Sequence, residues 1–142
     1  MIEQFQGEYR WLSNFAKCTI ELDGRIYPSV ENAYQSAKCE DQNWKRYCET
    51  HRSGECKKMS YRIGLIEDWD IIKVKIMKKC LQQKYHREPY RSLLLKTGNE
   101  KIQEGNFWND RFWGIDLKTN TGQNLLGQMI MDIREELSKE KK

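Results

Sequence analysis

The chain has 142 residues, which fits one domain with a core that needs no staples. With 32% charged residues, a mean hydropathy of −0.91 and no apolar run near the ~18–20 residues of a membrane span, an integral membrane protein is excluded. Nine glycines, two prolines and 11% aromatic residues exclude disordered and collagen-like chains, and the net charge of +4 suits anionic ligands as well as plain solubility.

The first residues, Met1-Ile2-Glu3-Gln4, show neither a basic nor an apolar leader segment. Cys18-Thr19-Ile20-Glu21-Leu22 alternates polar and apolar residues, Asp23-Gly24 is a hairpin turn, and Arg25-Ile26-Tyr27 returns. Pro28 ends the strand and Ser29 is a good N-cap for a helix running from Val30 to Lys38. Further helices are expected from Trp44 to His51 and from Lys57 to Ile63, the latter closed by Gly64. Asp70 is expected to cap the longest helix, residues 71–86. Its Ile72, Ile76 and Cys80 recur at i+4 beside Met77 and Leu81, while Lys73, Lys75, Lys78 and Lys79 take the other sides. Pro89 opens a short helix through Leu93-Leu94-Leu95. Residues 105–122 read as loop. The last helix spans residues 123–137 and carries Leu126, Ile130, Ile133 and Leu137 on one face. The sum is α+β, a helix-rich single domain over residues 1–142 with a small antiparallel β element.

Cys18, Cys39, Cys48, Cys56 and Cys80 form no Cys-x-x-Cys pair, which points to a reduced, cytoplasmic chain. Cys48, His51 and Cys56 lack a fourth ligand and fit no common zinc spacing, so no metal is expected. His51 and His86 read as solvated partners of helix ends, which leaves acid–base work to carboxylates and lysine.

Three stretches can carry chemistry. Glu31, Gln35 and Lys38 at i, i+4 and i+7 share a helix face where a core would be apolar. They form a polar ligand-facing stripe, or else Glu31 and Lys38 merely complement the helix dipole. Gly105-Asn106-Phe107-Trp108-Asn109-Asp110-Arg111-Phe112-Trp113-Gly114 puts four aromatics among polar residues. It is either a wall for a base-like ring, with Asp110 supplying charge, or an aromatic mini-core pinning the loop. Thr119-Asn120-Thr121-Gly122-Gln123-Asn124 feeds a helix start whose free N–H groups suit a phosphate, with Lys118 as an extra cation. Glu104 borders the aromatic stretch and gains interest only if it shares a site with Glu31 or Asp110.

The order of motifs resembles the NADAR (NAD- and ADP-ribose-associated) superfamily, the YbiA-like proteins. The resemblance is carried by Leu12-Ser13-Asn14-Phe15, by Tyr27-Pro28-Ser29-Val30-Glu31-Asn32-Ala33-Tyr34-Gln35-Ser36-Ala37-Lys38, and by Trp69. It continues through Leu93-Leu94-Leu95-Lys96-Thr97-Gly98, Glu104, Asp110-Arg111-Phe112-Trp113-Gly114 and Gly122-Gln123-Asn124-Leu125-Leu126-Gly127. Ile115-Asp116-Leu117-Lys118-Thr119 departs from the Gly-rich loop that follows Trp-Gly in many relatives. The resemblance implies hydrolysis of an N-glycosidic bond at a phosphorylated ribose. The substrate is either a riboflavin-pathway ribosylamino-pyrimidine phosphate or ADP-ribosyl-guanine in DNA or RNA, with no cofactor, metal or membrane partner. The family positions that map here are Glu31, Lys38, Trp69, Glu104, Asp110 and Trp113; together with the stretches above they give Glu31, Lys38, Glu104 and Asp110 as expected catalytic residues, and Asn14, Gln35, Trp69, Trp113, Gly114, Gly122 and Asn124 as expected substrate-binding residues.

That chemistry agrees with the residues themselves. N-glycoside cleavage passes through an oxocarbenium-like state that carboxylates stabilise, and a lysine of lowered pKa can instead attack C1 of the opened sugar. Two other classes stay open at this level: a non-catalytic NAD- or ADP-ribose-binding module, and a nucleic-acid-binding domain using Trp108 and Trp113 as stacking platforms.

Overall fold

A computed structural model describes residues 1–140; Lys141 and Lys142, which close the charged C-terminal tail, lie outside the described residues. The chain divides into two compact units, one formed by Asn14–Lys84 and one by Met1–Ser13 with the chain from Tyr85 onward. Among the described residues are six α-helices and two two-stranded sheets.

The first unit opens on a hairpin. β1 (Ile20–Leu22) pairs antiparallel with β2 (Arg25–Tyr27), Ile20 opposite Tyr27. Asp23 and Gly24 both take positive φ, 50° and 80°, as a tight two-residue turn demands. Helix α1 (Val30–Ser36) follows, with the Ser29 hydroxyl accepting the Asn32 N–H at 3.0 Å, a cap worth about 1 kcal/mol. All seven of its residues are buried.

The helix ends at Ser36, earlier than the sequence pattern predicts. Its last carbonyls have partners from α2 (Gln42–Thr50): the Trp44 indole N–H donates to the Gln35 carbonyl at 2.8 Å and the Lys45 amine to that of Ser36 at 3.1 Å. These donors satisfy the helix terminus, so Lys38 lies beyond the C-cap Ala37 and not on the helix face.

Helix α3 covers Ser53–Met59 and passes into a 3₁₀ turn, Ser60–Arg62. The expected Gly64 C-cap is absent, because the turn ends on Ile63 in extended conformation. Helix α4 is Trp69–Tyr85. Asp70 does not cap it; Asp70 stands in the first turn, and its carboxylate accepts the Lys73 ammonium at 3.1 Å. Trp69, Met77, Cys80, Leu81 and Lys84 are buried along this helix, and Lys73 is largely covered rather than displayed.

In the other unit α5 is Tyr90–Lys96 and α6 is Leu125–Glu140. Leu126, Ile130, Ile133 and Leu137 are buried, as their spacing predicts, and each contributes roughly 1.5–3 kcal/mol by leaving water. The stretch read as loop contains β3 (Gly105–Asn106) and β4 (Ile115–Asp116), paired in parallel. The β content is therefore not solely antiparallel. Gly105 is obligatory there, since an added Cβ would lie 2.2 Å from the Glu3 carbonyl oxygen. No helix among the described residues is long and apolar enough to cross a membrane.

Candidate active site

In the Asn14–Lys84 unit the candidates gather on α1. Glu31 is buried at 7% exposure, and its carboxylate accepts the Gln35 amide N–H at 2.6 Å. Its backbone N–H donates to the Asn14 carbonyl at 3.0 Å, which brings Asn14 to the start of the same helix. The Asn14 side chain donates to the Met77 sulfur at 3.6 Å. Two buried oxygens here, Asn14 Oδ1 and Gln35 Oε1, accept no hydrogen bond from the protein. A buried acceptor without a donor costs about 1–3 kcal/mol, and one of these two sits on the amide that donates to the Glu31 carboxylate.

Lys38 is half-buried, with its ammonium 5.5 Å from the centre of the Tyr34 ring. Burial pushes its amine below the usual lysine range. The Glu31 carboxylate opposes that shift, and Lys57 and Lys73 add to it. Tyr34 in turn packs on Trp69, ring centres 5.2 Å apart. Trp69 is 6% exposed, so it works mainly as the wall behind Tyr34.

In the other unit the Glu104 carboxylate accepts from the Asn106 side chain at 3.0 Å, and the Glu104 backbone N–H donates to Asn124 Oδ1 at 3.0 Å. Gly114 is required by this arrangement, because a Cβ there would come within 1.9 Å of Glu104 Oε2. One Asp110 carboxylate oxygen accepts the backbone N–H groups of Phe112 at 3.1 Å and Trp113 at 2.9 Å, an Asx turn that shapes the loop. Phe112 and Trp113 pack edge to face at 4.8 Å, whereas Phe107 and Trp108 are exposed.

The expected phosphate seat is not an open one. The N–H groups of Gln123, Asn124, Leu125 and Leu126 already donate to the carbonyls of Arg111, Gly114, Phe112 and Trp113. Gly122, at φ 150°, fits because a Cβ would meet the Gly114 carbonyl at 2.3 Å. Asn124 clamps the Ile102 carbonyl at 3.0 Å. Gly122 and Asn124 thus close the start of α6 against the aromatic loop.

Sequence reasoning missed Asn106, which is fully buried, and Lys84, which is fully buried on α4. Burial holds the Lys84 amine down to about 7. Among the described residues no group of three or more His, Cys, Asp or Glu side chains is placed to hold a metal ion.

The family model described as the NADAR domain matches residues 2–138, and the chain belongs to that family. It is similar to the N-glycosidase YbiA of Escherichia coli, 33% identical over 141 residues, 94% of this chain and 85% of that protein. An N-glycosidase of Nostoc punctiforme is 30% identical over 137 residues, 91% of this chain and 86% of that one. A riboflavin biosynthesis protein of Vibrio vulnificus is 31% identical over 131 residues, covering 89% of this chain but 35% of that longer one. The NMR structure of the E. coli protein YbiA superposes with a TM-score of 0.83 at 29% identity, covering 99% of this chain and 89% of that one. The chain is accordingly an enzyme, a hydrolase acting on N-glycosyl compounds. The alternative of a binding module without catalysis does not accord with that class.

Proposed function

We propose that the enzyme hydrolyses the N-glycosidic bond of a ribosylamino-pyrimidine phosphate, an intermediate of the riboflavin pathway, in the cytoplasm. The observation that carries this reading is the pair of donor-less buried oxygens, Asn14 Oδ1 and Gln35 Oε1, on residues that hold Glu31 through its backbone N–H and its carboxylate respectively. Acceptors of this kind await N–H or O–H donors, and a ribosylamino-pyrimidine offers both amino groups and sugar hydroxyls. The relative from V. vulnificus named for riboflavin biosynthesis supports a substrate from that pathway.

In the proposed mechanism Lys38 is the central group and Glu31 its acid/base partner. Burial weakens the hold of the Lys38 amine on its proton, which favours the neutral form that attack on C1 of the opened sugar requires and makes the ammonium a better proton donor to the leaving base. Glu104 and Asp110 are proposed as the further carboxylates that favour positive charge at C1. Gln35 orients Glu31, and Asn14, Trp69, Trp113 and Gly114 contribute to binding. Gly122 and Asn124 contribute only through the loop they hold.

A second reading, removal of ADP-ribose from guanine in DNA or RNA, is favoured by Phe107 and Trp108, which stand 55% and 56% exposed and can stack on bases. Incubation with ribosylamino-pyrimidine phosphate and, separately, with ADP-ribosylated guanosine DNA, followed by chromatography, decides between them. Release of the free pyrimidine is expected; release of ADP-ribose alone overturns the first reading in favour of the second.

A further inference from the structure

The side chain of Asn106 is 0% exposed and makes hydrogen bonds in two directions. Its Nδ2 donates to Glu104 Oε2 at 3.0 Å and to the Asp110 carbonyl at 2.9 Å, while its Oδ1 accepts the Asp110 N–H at 3.0 Å. One amide therefore ties the Glu104 carboxylate to the backbone of Asp110. β3, paired with β4, holds Asn106 in place. On another side Gly114 leaves the space that Glu104 Oε2 fills. A carboxylate confined in this way is restricted in rotamer. The other charged groups of the loop are engaged elsewhere. Asp110 Oδ1 accepts from the Phe112 and Trp113 amides, and Asp116 accepts from the Arg111 guanidinium at 3.1 Å.

We infer that Asn106 is a positioning residue for the hydrolysis, holding the Glu104 carboxylate in one orientation and setting the Asp110 turn relative to it. The inference rests on the proposed catalytic role of Glu104, and the experiment separates the two. Glu104→Gln, Asn106→Asp and Asn106→Ser are assayed on ribosylamino-pyrimidine phosphate for kcat, KM and the pH profile of kcat, with thermal melting alongside. Glu104→Gln is expected to lower kcat by about 100-fold; wild-type turnover in that variant overturns the catalytic reading itself.

Asn106→Asp keeps the acceptor facing the Asp110 N–H but sets a carboxylate against a carboxylate. It is expected to lower kcat by about 10-fold or more with KM little changed, and to move the acid limb of the profile upward by about one pH unit. Asn106→Ser is neutral and shorter. It is expected to lower kcat by about 10-fold with the acid limb in place, and it decides the matter alone if the Asp variant does not fold. Two results overturn the positioning role while Glu104→Gln is inactive. One is wild-type kcat in Asn106→Ser; the other is a loss in Asn106→Asp that follows only the melting temperature and leaves the acid limb unmoved.

Discussion

The two candidate regions use the same residue types in opposite ways. Around α1 the polar atoms are incompletely matched: Glu31 has its donor in Gln35, yet Asn14 and Gln35 each keep a buried oxygen with no donor. Around the β3–β4 loop the polar atoms are cross-braced: Asn106, Asn124 and the Asp110 turn give the loop carbonyls and amides partners, and glycines stand where any side chain would collide. The first region leaves two buried acceptors unmatched. The second uses its hydrogen bonds to hold a carboxylate still. Hydrogen-bond partners distinguish the two regions where residue type alone does not.

The largest expected effect concerns the stability of the α1-bearing unit. Lys84 titrates near 7 when folded and near 10.5 when unfolded, because its burial opposes charge, with Cys18 acting against that shift. The unfolded chain then holds the extra proton between those pH values, so stability rises as pH climbs from about 7 to about 10.5. Below 7 the full penalty applies. The span is on the order of 4–5 kcal/mol. Urea unfolding of wild type and Lys84→Met across that range should show the rise in the first and a flatter line in the second; parallel lines would disprove it.

Next in size, Glu31→Gln and Lys38→Ala should each cut turnover by about 100-fold or more while the protein still folds. Near-normal turnover in either removes that residue from the mechanism and weakens the contrast drawn above.

In the braced region Gly114→Ala should destabilise by about 1–3 kcal/mol, since its Cβ would meet Glu104 Oε2 at 1.9 Å and the Glu104 carbonyl at 2.1 Å. Gly54→Ala is the control, with nothing nearer than Phe15 at 3.9 Å, and should melt no lower than wild type. Equal melting of the two variants would show that the loop yields.

The smallest effect sharpens the α1 side. Asn14→Leu removes an acceptor that has no donor, so stability should hold or rise by about 1 kcal/mol. Substrate KM should increase by about 10-fold. A KM unchanged by the substitution would assign that oxygen no part in binding.

Local signals made much of the fold legible. Asp23-Gly24 fixed the hairpin, Ser29 the start of α1, and the spacing Leu126, Ile130, Ile133, Leu137 the buried face of α6. The position of Lys38 was not legible, because α1 stops where Trp44 and Lys45 reach its carbonyls, and those donors lie outside the helix. β3 and β4 are two residues each, too short for any alternation to show. Lys84 reads as a surface lysine in an amphipathic helix, and only packing reveals it as buried. Glu31 and Gln35 were legible as a pair because i, i+4 spacing survives in a helix of any length. Asn106 sat within a polar, aromatic run with nothing to set it apart.

Asn32, next to Glu31, is fully buried, and its side-chain amide donates to the Cys48 and His51 carbonyls, both at 2.7 Å. Its oxygen accepts from the Ser29 hydroxyl at 2.6 Å and from that of Ser53 at 2.7 Å. One side chain thus rivets α1 to the end of α2 and the start of α3. Rotating α1 would break this rivet, which couples the three helices. Hydrogen exchange recorded with ligand bound should slow in α1, α2 and α3 by a common factor, the mark of a single cooperative opening. A ligand bound at Glu31, as proposed, would meet a helix framework already in shape, with adaptation to different substrates left to side chains.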